Sequence, residues 1–126
     1  MKVSNEAIKC KKVFHKLKLA FEECREANWD GYQAEPVSVE TYQLAVQFLK
    51  ALPLGASEPA IGAESDGNLT MEWYRSPNRT LSVSISPESE LHYAALIGSR
   101  KACGTETFFG DVPGPVMNLI NRIMST

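Results

Sequence analysis

The first third of the chain carries hydrophobic residues at three- and four-residue steps, a spacing that places them on one face of an α-helix. One such stripe begins after Ser4, a suitable N-cap, and predicts a helix from Asn5 to Ala27. A second helix is predicted after Pro36, with Ser38 as its N-cap, and Pro53 ends it. Because only a short turn region separates them, the two helices are expected to form a hairpin.

From Pro59 onward the hydrophobic period changes to two, which is typical of half-buried strands. Apolar and polar residues alternate at 69–74 and at 81–85, and short turn clusters around them predict successive antiparallel hairpins. The weaker alternation from Leu91 to Ile97 predicts burial on both faces for part of the strand's length and therefore a central strand.

The end of the chain predicts one more strand and one more helix. The strand runs from Lys101 to Phe109 and is interrupted by Gly104, and Pro113 and Pro115 introduce the helix. The chain is thus expected to form a single α+β domain over residues 1–126. Its parts are a two-helix hairpin, a four- or five-stranded antiparallel β-meander and a C-terminal helix, with the helices packed on one face of the sheet.

Composition narrows the class of protein but adds no chemistry. The three cysteines lack the spacing of a zinc site or a disulfide framework, so a reducing, cytoplasmic location is expected. No apolar run has the length of a signal peptide or of a membrane span, and we expect no membrane association. The isolated glycines do not form a phosphate-binding loop, and nothing predicts a cofactor, a metal or a nucleotide.

Several short stretches resemble a group of small uncharacterised bacterial proteins. The chain reads Asn-Trp-Asp-Gly-Tyr-Gln-Ala over residues 28–34, and further shared positions are Glu72-Trp73-Tyr74, Leu81-Ser82-Val83-Ser84 and Gly104-Thr105-Glu106. The group is marked by an N-W-D-G-Y-G-A stretch, and the resemblance implies a bacterial protein without implying an activity. Gln33 stands where that stretch carries its second glycine, and a residue with a Cβ disfavours a tight turn there.

The loop after the first helix is one candidate interaction surface. Trp29 and Tyr32 flank Asp30, and two aromatic rings beside a carboxylate can form a recognition surface. Alternatively, Trp29 fills the crevice between the helices while Asp30 caps the turn.

The polar face of the predicted sheet is a second candidate. It would carry Glu72, Tyr74, Ser82, Ser84, Ser86 and His92. An acid and an imidazole can perform acid–base chemistry only within a concave site, so a solvated face is favoured over a catalytic one. Cys103 with His92 as its base is a weaker alternative, because the sequence does not place the two together.

The first helix presents a third candidate. Residues 1–18 contain six lysines against a single glutamate, and Lys9, Lys12 and Lys16 share one helical face. Clustered lysines bind phosphates without sequence preference, whereas the chain is acidic overall, with a net charge of -2. A solvated face, an acidic protein partner and a nucleic acid therefore all remain open.

Three hypotheses about function follow. The leading one is a non-enzymatic module that binds another macromolecule, most simply a protein. The second is an accessory protein that binds nucleic acid weakly, and in a salt-dependent way, through the lysines of the first helix. The third is an enzyme whose site lies between the Trp29 loop and Glu72.

Overall fold

The computed structural model describes the backbone of residues 5–125 and the side chains of residues 12–125. Ser4, the predicted N-cap, lies outside the described residues, as does the side chain of Lys9. The elements, in chain order, are α1 (Asn5–Glu23), α2 (Val39–Ala51), β1 (Ala60–Ala63), β2 (Leu69–Ser76), β3 (Arg79–Ile85), β4 (Glu90–Ile97), β5 (Arg100–Thr107) and α3 (Gly114–Met124).

The fold class predicted from the sequence is confirmed. Five strands form one antiparallel sheet in the order β1-β2-β3-β4-β5, so each strand pairs with its neighbour in the chain. All three helices contact the sheet, and α1 also contacts α2, where the rings of Phe21 and Tyr42 lie 4.5 Å apart. The apolar sides of the helices and of the strands enclose one hydrophobic core.

The core lies between the helices and the inner face of the sheet. Trp73 on β2 is its largest fully buried side chain, and its ring packs against Phe48 of α2. The indole Nε1 of Trp73 donates to the carbonyl of Ser57 at 2.8 Å, which satisfies its one polar atom. Phe108 packs on the same Phe48 ring from the end of β5.

The prediction that the first helix reaches Ala27 is wrong, because α1 ends at Glu23. A longer helix would use the Cys24 carbonyl to accept from Asn28, but that carbonyl accepts from Val37 at 2.8 Å. Asn28 instead donates to the carbonyl of Ala34, also at 2.8 Å. The chain therefore turns at residues 24–32 and leads directly into α2.

The limits of α2 agree with the prediction. The Ser38 hydroxyl accepts from the backbone amide of Thr41 at 3.1 Å, as an N-cap residue does. The helix ends at Ala51, two residues before Pro53, and the C-cap amide of Leu52 donates to the carbonyl of Leu49.

The strands differ from the sequence predictions in two places. β4 lies between β3 and β5, although the middle strand of the five is β3. Burial on both faces is wrong for the first part of β4, where His92 and Ala94 are exposed, whereas Leu96 near its end is half-buried on the outer face.

The last strand, β5, ends at Thr107 and not at Phe109. It is not interrupted at Gly104, which pairs with Tyr93 in an unbroken register. The ring of Tyr93 lies over Gly104. A Cβ added to Gly104 would stand 2.5 Å from the Tyr93 hydroxyl, so the missing side chain makes room for the ring.

Candidate interaction surfaces

The loop between α1 and α2 is tied together by its own side chains. One carboxylate oxygen of Asp30 accepts from the amides of Tyr32 at 2.8 Å and Ala34 at 3.1 Å. This is the turn-capping role predicted for Asp30.

The expectation that Gln33 disfavours a tight turn is wrong, because the turn forms. Gln33 adopts a φ of 64°, a left-handed conformation that suits glycine, and so does Asn28, with the same φ. The Asn28 side chain accepts from the Gln33 amide at 2.6 Å and holds that residue in place. Gln33 thus adopts the backbone conformation that suits the second glycine of the N-W-D-G-Y-G-A stretch.

The two aromatic residues of this loop have different surroundings. Trp29 is half-buried against the core, and its Nε1 donates to the carbonyl of Glu35 at 2.7 Å. Tyr32 is 88% exposed. The structure therefore gives Trp29 a packing role and leaves Tyr32 as the loop's candidate contact residue.

The polar face of the sheet lies on the side away from the helices. Glu72 and Tyr74 of β2 are exposed there, with Tyr74 64% exposed. The strand registers bring the outer residues into three rows across the sheet. These rows are Thr70-Ser84-His92-Thr105, Glu72-Ser82-Ala94-Cys103 and Tyr74-Thr80-Leu96-Lys101.

One predicted member of this face lies elsewhere. Ser86 is buried, because β3 ends at Ile85 and Ser86 begins the turn to β4. Its backbone amide donates to the carbonyl of Glu90 at 3.2 Å. In the sequence, the alternation of apolar and polar residues continues to Ser86, but the hydrogen bond of the turn ends the strand before this residue.

His92 and Ser84 have hydrogen-bond partners on this face. The Nδ1 of His92 lies 3.0 Å from the hydroxyl of Thr105, and its Nε2 lies 3.5 Å from a carboxylate oxygen of Glu90. The Ser84 hydroxyl donates to the carboxylate of Glu64. His92 thus sits in an open polar row on a flat sheet, which is a poor setting for acid–base chemistry.

The Cys103–His92 pair is only partly brought together. Both side chains lie on the outer face, but Thr105 stands opposite His92, and Cys103 stands opposite Ala94. Cys103 is an exposed free thiol. Cys24 is buried, and burial, with a smaller contribution from the charge of Glu23, raises the pKa of its thiol.

The Trp29 loop and Glu72 do not share a cavity. The cavity beside Trp29, of about 520 Å³, is lined by residues 22, 23 and 25–29 and does not include Glu72, which lies on the outer face. A second cavity, of about 540 Å³, lies where residues 12–14 of α1 meet the end of α2 and Met124 of α3. Glu58 lines it, and within the described residues one of its carboxylate oxygens is buried without a hydrogen-bond partner. No pattern in the sequence indicates this cavity.

The lysine face of α1 is described in part. The side chains of Lys12 and Lys16 are exposed and lie one helical turn apart. Lys9 cannot be added, since its side chain lies outside the described residues. Within the described part of the chain, no group of three or more His, Cys, Asp or Glu residues is arranged to hold a metal ion.

The free edge of β5 is a surface that the sequence analysis did not single out. β5 spans eight residues without a proline or a register shift, and within residues 5–125 its element contacts are with β4. The opposite edge strand, β1, has four residues and is contacted by α1. Beside the end of β5, Phe109 is 88% exposed. A long edge strand that no other element covers presents unpaired backbone groups to a partner strand.

Comparisons with protein-family models, with curated proteins and with solved structures find no match to this chain. Within the described residues, none of the helices has the length and apolar character needed to span a membrane.

Proposed function

We propose that this protein is a non-enzymatic interaction module that binds another macromolecule through the free edge of β5 and the adjoining outer face of the sheet. The observation that carries the proposal is the edge strand itself. Folded proteins usually shorten, cover or interrupt an edge strand, because open backbone groups invite pairing with another chain. β5 has eight residues, no register shift and, among the described residues, no helix in contact with it. The protection that it does carry is charge, in Arg100, Lys101 and Glu106, so a partner strand must match these charges.

Exposed aromatic side chains support a binding role. Phe109 lies beside the end of β5, and Tyr74 lies on the outer face of β2, three strands from that edge. Both are large and strongly exposed, and aromatic residues are enriched where proteins meet. Strand addition of this kind takes affinity from main-chain hydrogen bonds and specificity from neighbouring side chains.

In-cell photo-crosslinking tests the proposal. A photoreactive amino acid is placed at Thr105 beside the free edge, at Tyr74 on the outer face, and at Gln43 on α2, an exposed control position. We expect a discrete adduct from Thr105, a weaker one from Tyr74 and none from Gln43. Adducts of equal strength at all three positions, or none at Thr105, would contradict the proposal. So would turnover by the purified protein that is lost in Glu72→Gln or His92→Gln.

Nucleic acid is a second candidate partner, supported by the exposure of Lys12 and Lys16 on one side of α1. Binding of this kind should weaken steeply with salt and should fall in the Lys12→Ala/Lys16→Ala double variant. Binding that salt does not change would argue against it. The enzyme hypothesis has less support, since Glu72 and the cavity beside Trp29 lie apart.

We also propose a cytoplasmic location in a bacterium. The exposed free thiol of Cys103 supports a reducing compartment. The bacterial origin is supported by the resemblance of residues 28–34 to the N-W-D-G-Y-G-A group.

A further inference from the structure

We infer that β5 pairs with β5 of a second copy of this chain, antiparallel and in a register centred on Cys103. The inference rests on the proposed function, because it names the partner of the edge strand. Two five-stranded sheets would join into one continuous sheet about a two-fold axis through Cys103.

The hairpin between β4 and β5 determines which backbone groups are free. Gly98 and Ser99 form a two-residue turn, with Gly98 at a φ of 63°, so Ile97 and Arg100 close the hairpin as a hydrogen-bonded pair. Hydrogen-bonded and non-bonded pairs then alternate along the ladder. Even-numbered residues bond towards β4, as the bond from the Phe108 amide to the Ser89 carbonyl confirms. The amides and carbonyls of Lys101, Cys103 and Thr105 therefore face the open edge.

In the register centred on Cys103, the free backbone groups of one β5 face the free backbone groups of the other. Cys103 stands opposite Cys103 of the second copy, and Lys101 opposite Thr105, so every hydrogen-bonded pair joins two edge-facing residues. The three pairs supply about six backbone hydrogen bonds.

The side chains on the inner face are complementary in the same register. Arg100 and Glu106 lie three residues before and three after Cys103, so each Arg100 stands opposite a Glu106 of the other copy. Between the two charged pairs, Ala102 of each copy stands opposite Gly104 of the other, so only small residues meet there. Opposite charges directly across a strand pair are favourable, and this register contains two such pairs and no pair of like charges.

The helices leave room for the second copy. Within the described residues, α3 contacts β2, β3 and β4, and none of the helices contacts β5. The inner face of β5 is instead covered near its middle by the ring of Tyr93 over Gly104. A second β5 can therefore approach the edge without displacing a helix.

Charge reversal tests both the pairing and the register. Sedimentation of the purified protein at low salt is followed up to about 1 mM, a concentration that populates even a weak complex. We expect a reversible dimer, weakened about tenfold or more by Arg100→Glu or by Glu106→Arg, because each single variant sets like charges opposite one another. The double variant Arg100→Glu/Glu106→Arg should restore the dimer. Arg75→Glu, a matched charge reversal at an exposed position of β2, should leave the dimer unchanged.

Oxidation tests the centre of the register. Residues opposite each other in a hydrogen-bonded pair have Cα atoms about 5.5 Å apart, within the range of a disulfide. Diamide, which takes two electrons and two protons from a pair of thiols, should cross-link the dimer through Cys103, and Cys103→Ser should abolish the product.

A protein that stays monomeric throughout would overturn the inference, as would a dimer that ignores both charge reversals or one that diamide does not link through Cys103. If the pure protein is monomeric while Thr105 cross-links to a different protein in cells, self-pairing is refuted and the proposed function stands. Absence of both the dimer and any Thr105 adduct would refute the two together.

Discussion

Replacing Gln33 by glycine should stabilise the protein. Gln33 holds a φ of 64°, a conformation in which the Cβ of an L-residue approaches the following carbonyl oxygen, at a cost of roughly 1–2 kcal/mol. Glycine removes that cost, but its greater freedom in the unfolded chain offsets about 0.5–1 kcal/mol. The Gln33 side chain is exposed and, within the described residues, makes no hydrogen bond that the substitution would remove, and the amide can still donate to Asn28. The net gain should be about 0.5–1 kcal/mol in the free energy of unfolding, a rise of about 3 °C in Tm.

The assay is urea and thermal unfolding followed by circular dichroism, with Gln33→Ala as the matched control. Alanine removes the same polar group as glycine does but keeps the Cβ, so it should not stabilise the protein. Equal stability of Gln33→Gly and Gln33→Ala would refute the argument, because the gain must come from relief of the left-handed backbone and not from loss of the glutamine side chain.

Three further changes follow from the structure. Ser38→Ala should lower the free energy of unfolding by about 1 kcal/mol, because the N-cap bond of α2 is lost, while Ser38→Asp should keep most of it; urea unfolding distinguishes the two. Trp73→Phe should cost about 2 kcal/mol in the same assay, since it leaves a void and an unpaired carbonyl at Ser57, and a cost near zero would contradict the packing described. The raised pKa of Cys24 means that the unfolded chain loses the thiol proton first, so the thiol's contribution to stability is complete below its ordinary pKa of 9.0 and is lost as the pH rises beyond it. Cys24→Ala should lack that part of the decline in unfolding free energy, and identical pH profiles would contradict it.

The sequence predicted the structure correctly where residues close together in the chain stabilise it. Ser38 and Pro53 lie at the ends of α2 because a cap and a helix breaker act within a few residues of themselves. The alternating residues of β2 and β3 separate into a buried and an exposed set because the pleat has a period of two.

The sequence predictions were wrong where contacts with residues distant in the chain determine the structure. The hydrophobic stripe of α1 continues to residue 27, but the carbonyl of Cys24 accepts from Val37, a partner that no helical pattern reveals. The weak alternation of β4 reflects its alanines, because Ala94 is apolar and yet small enough to be left exposed on the outer face.

The candidate site depends on tertiary arrangement even more strongly. A strand becomes an edge only through the order of the whole sheet, so no local pattern marks Arg100 and Glu106 as residues of a free edge. Asp30 was predicted correctly because an Asx turn is local. The sequence could not show that Trp29 is half-buried and Tyr32 exposed, since the burial of each depends on how the loop packs against the core.

Amide hydrogen exchange of β5, measured by NMR in dilute protein, tests most directly the claim that β5 is a formed strand with a free edge. The account predicts alternation along the strand. The amides of Ala102, Gly104 and Glu106 are bonded to β4 and should exchange slowly, whereas those of Lys101, Cys103 and Thr105 should exchange fast. Uniformly fast exchange would show that β5 is not stably paired, and uniformly slow exchange would show that another part of the chain covers its edge. Either uniform result would contradict the account.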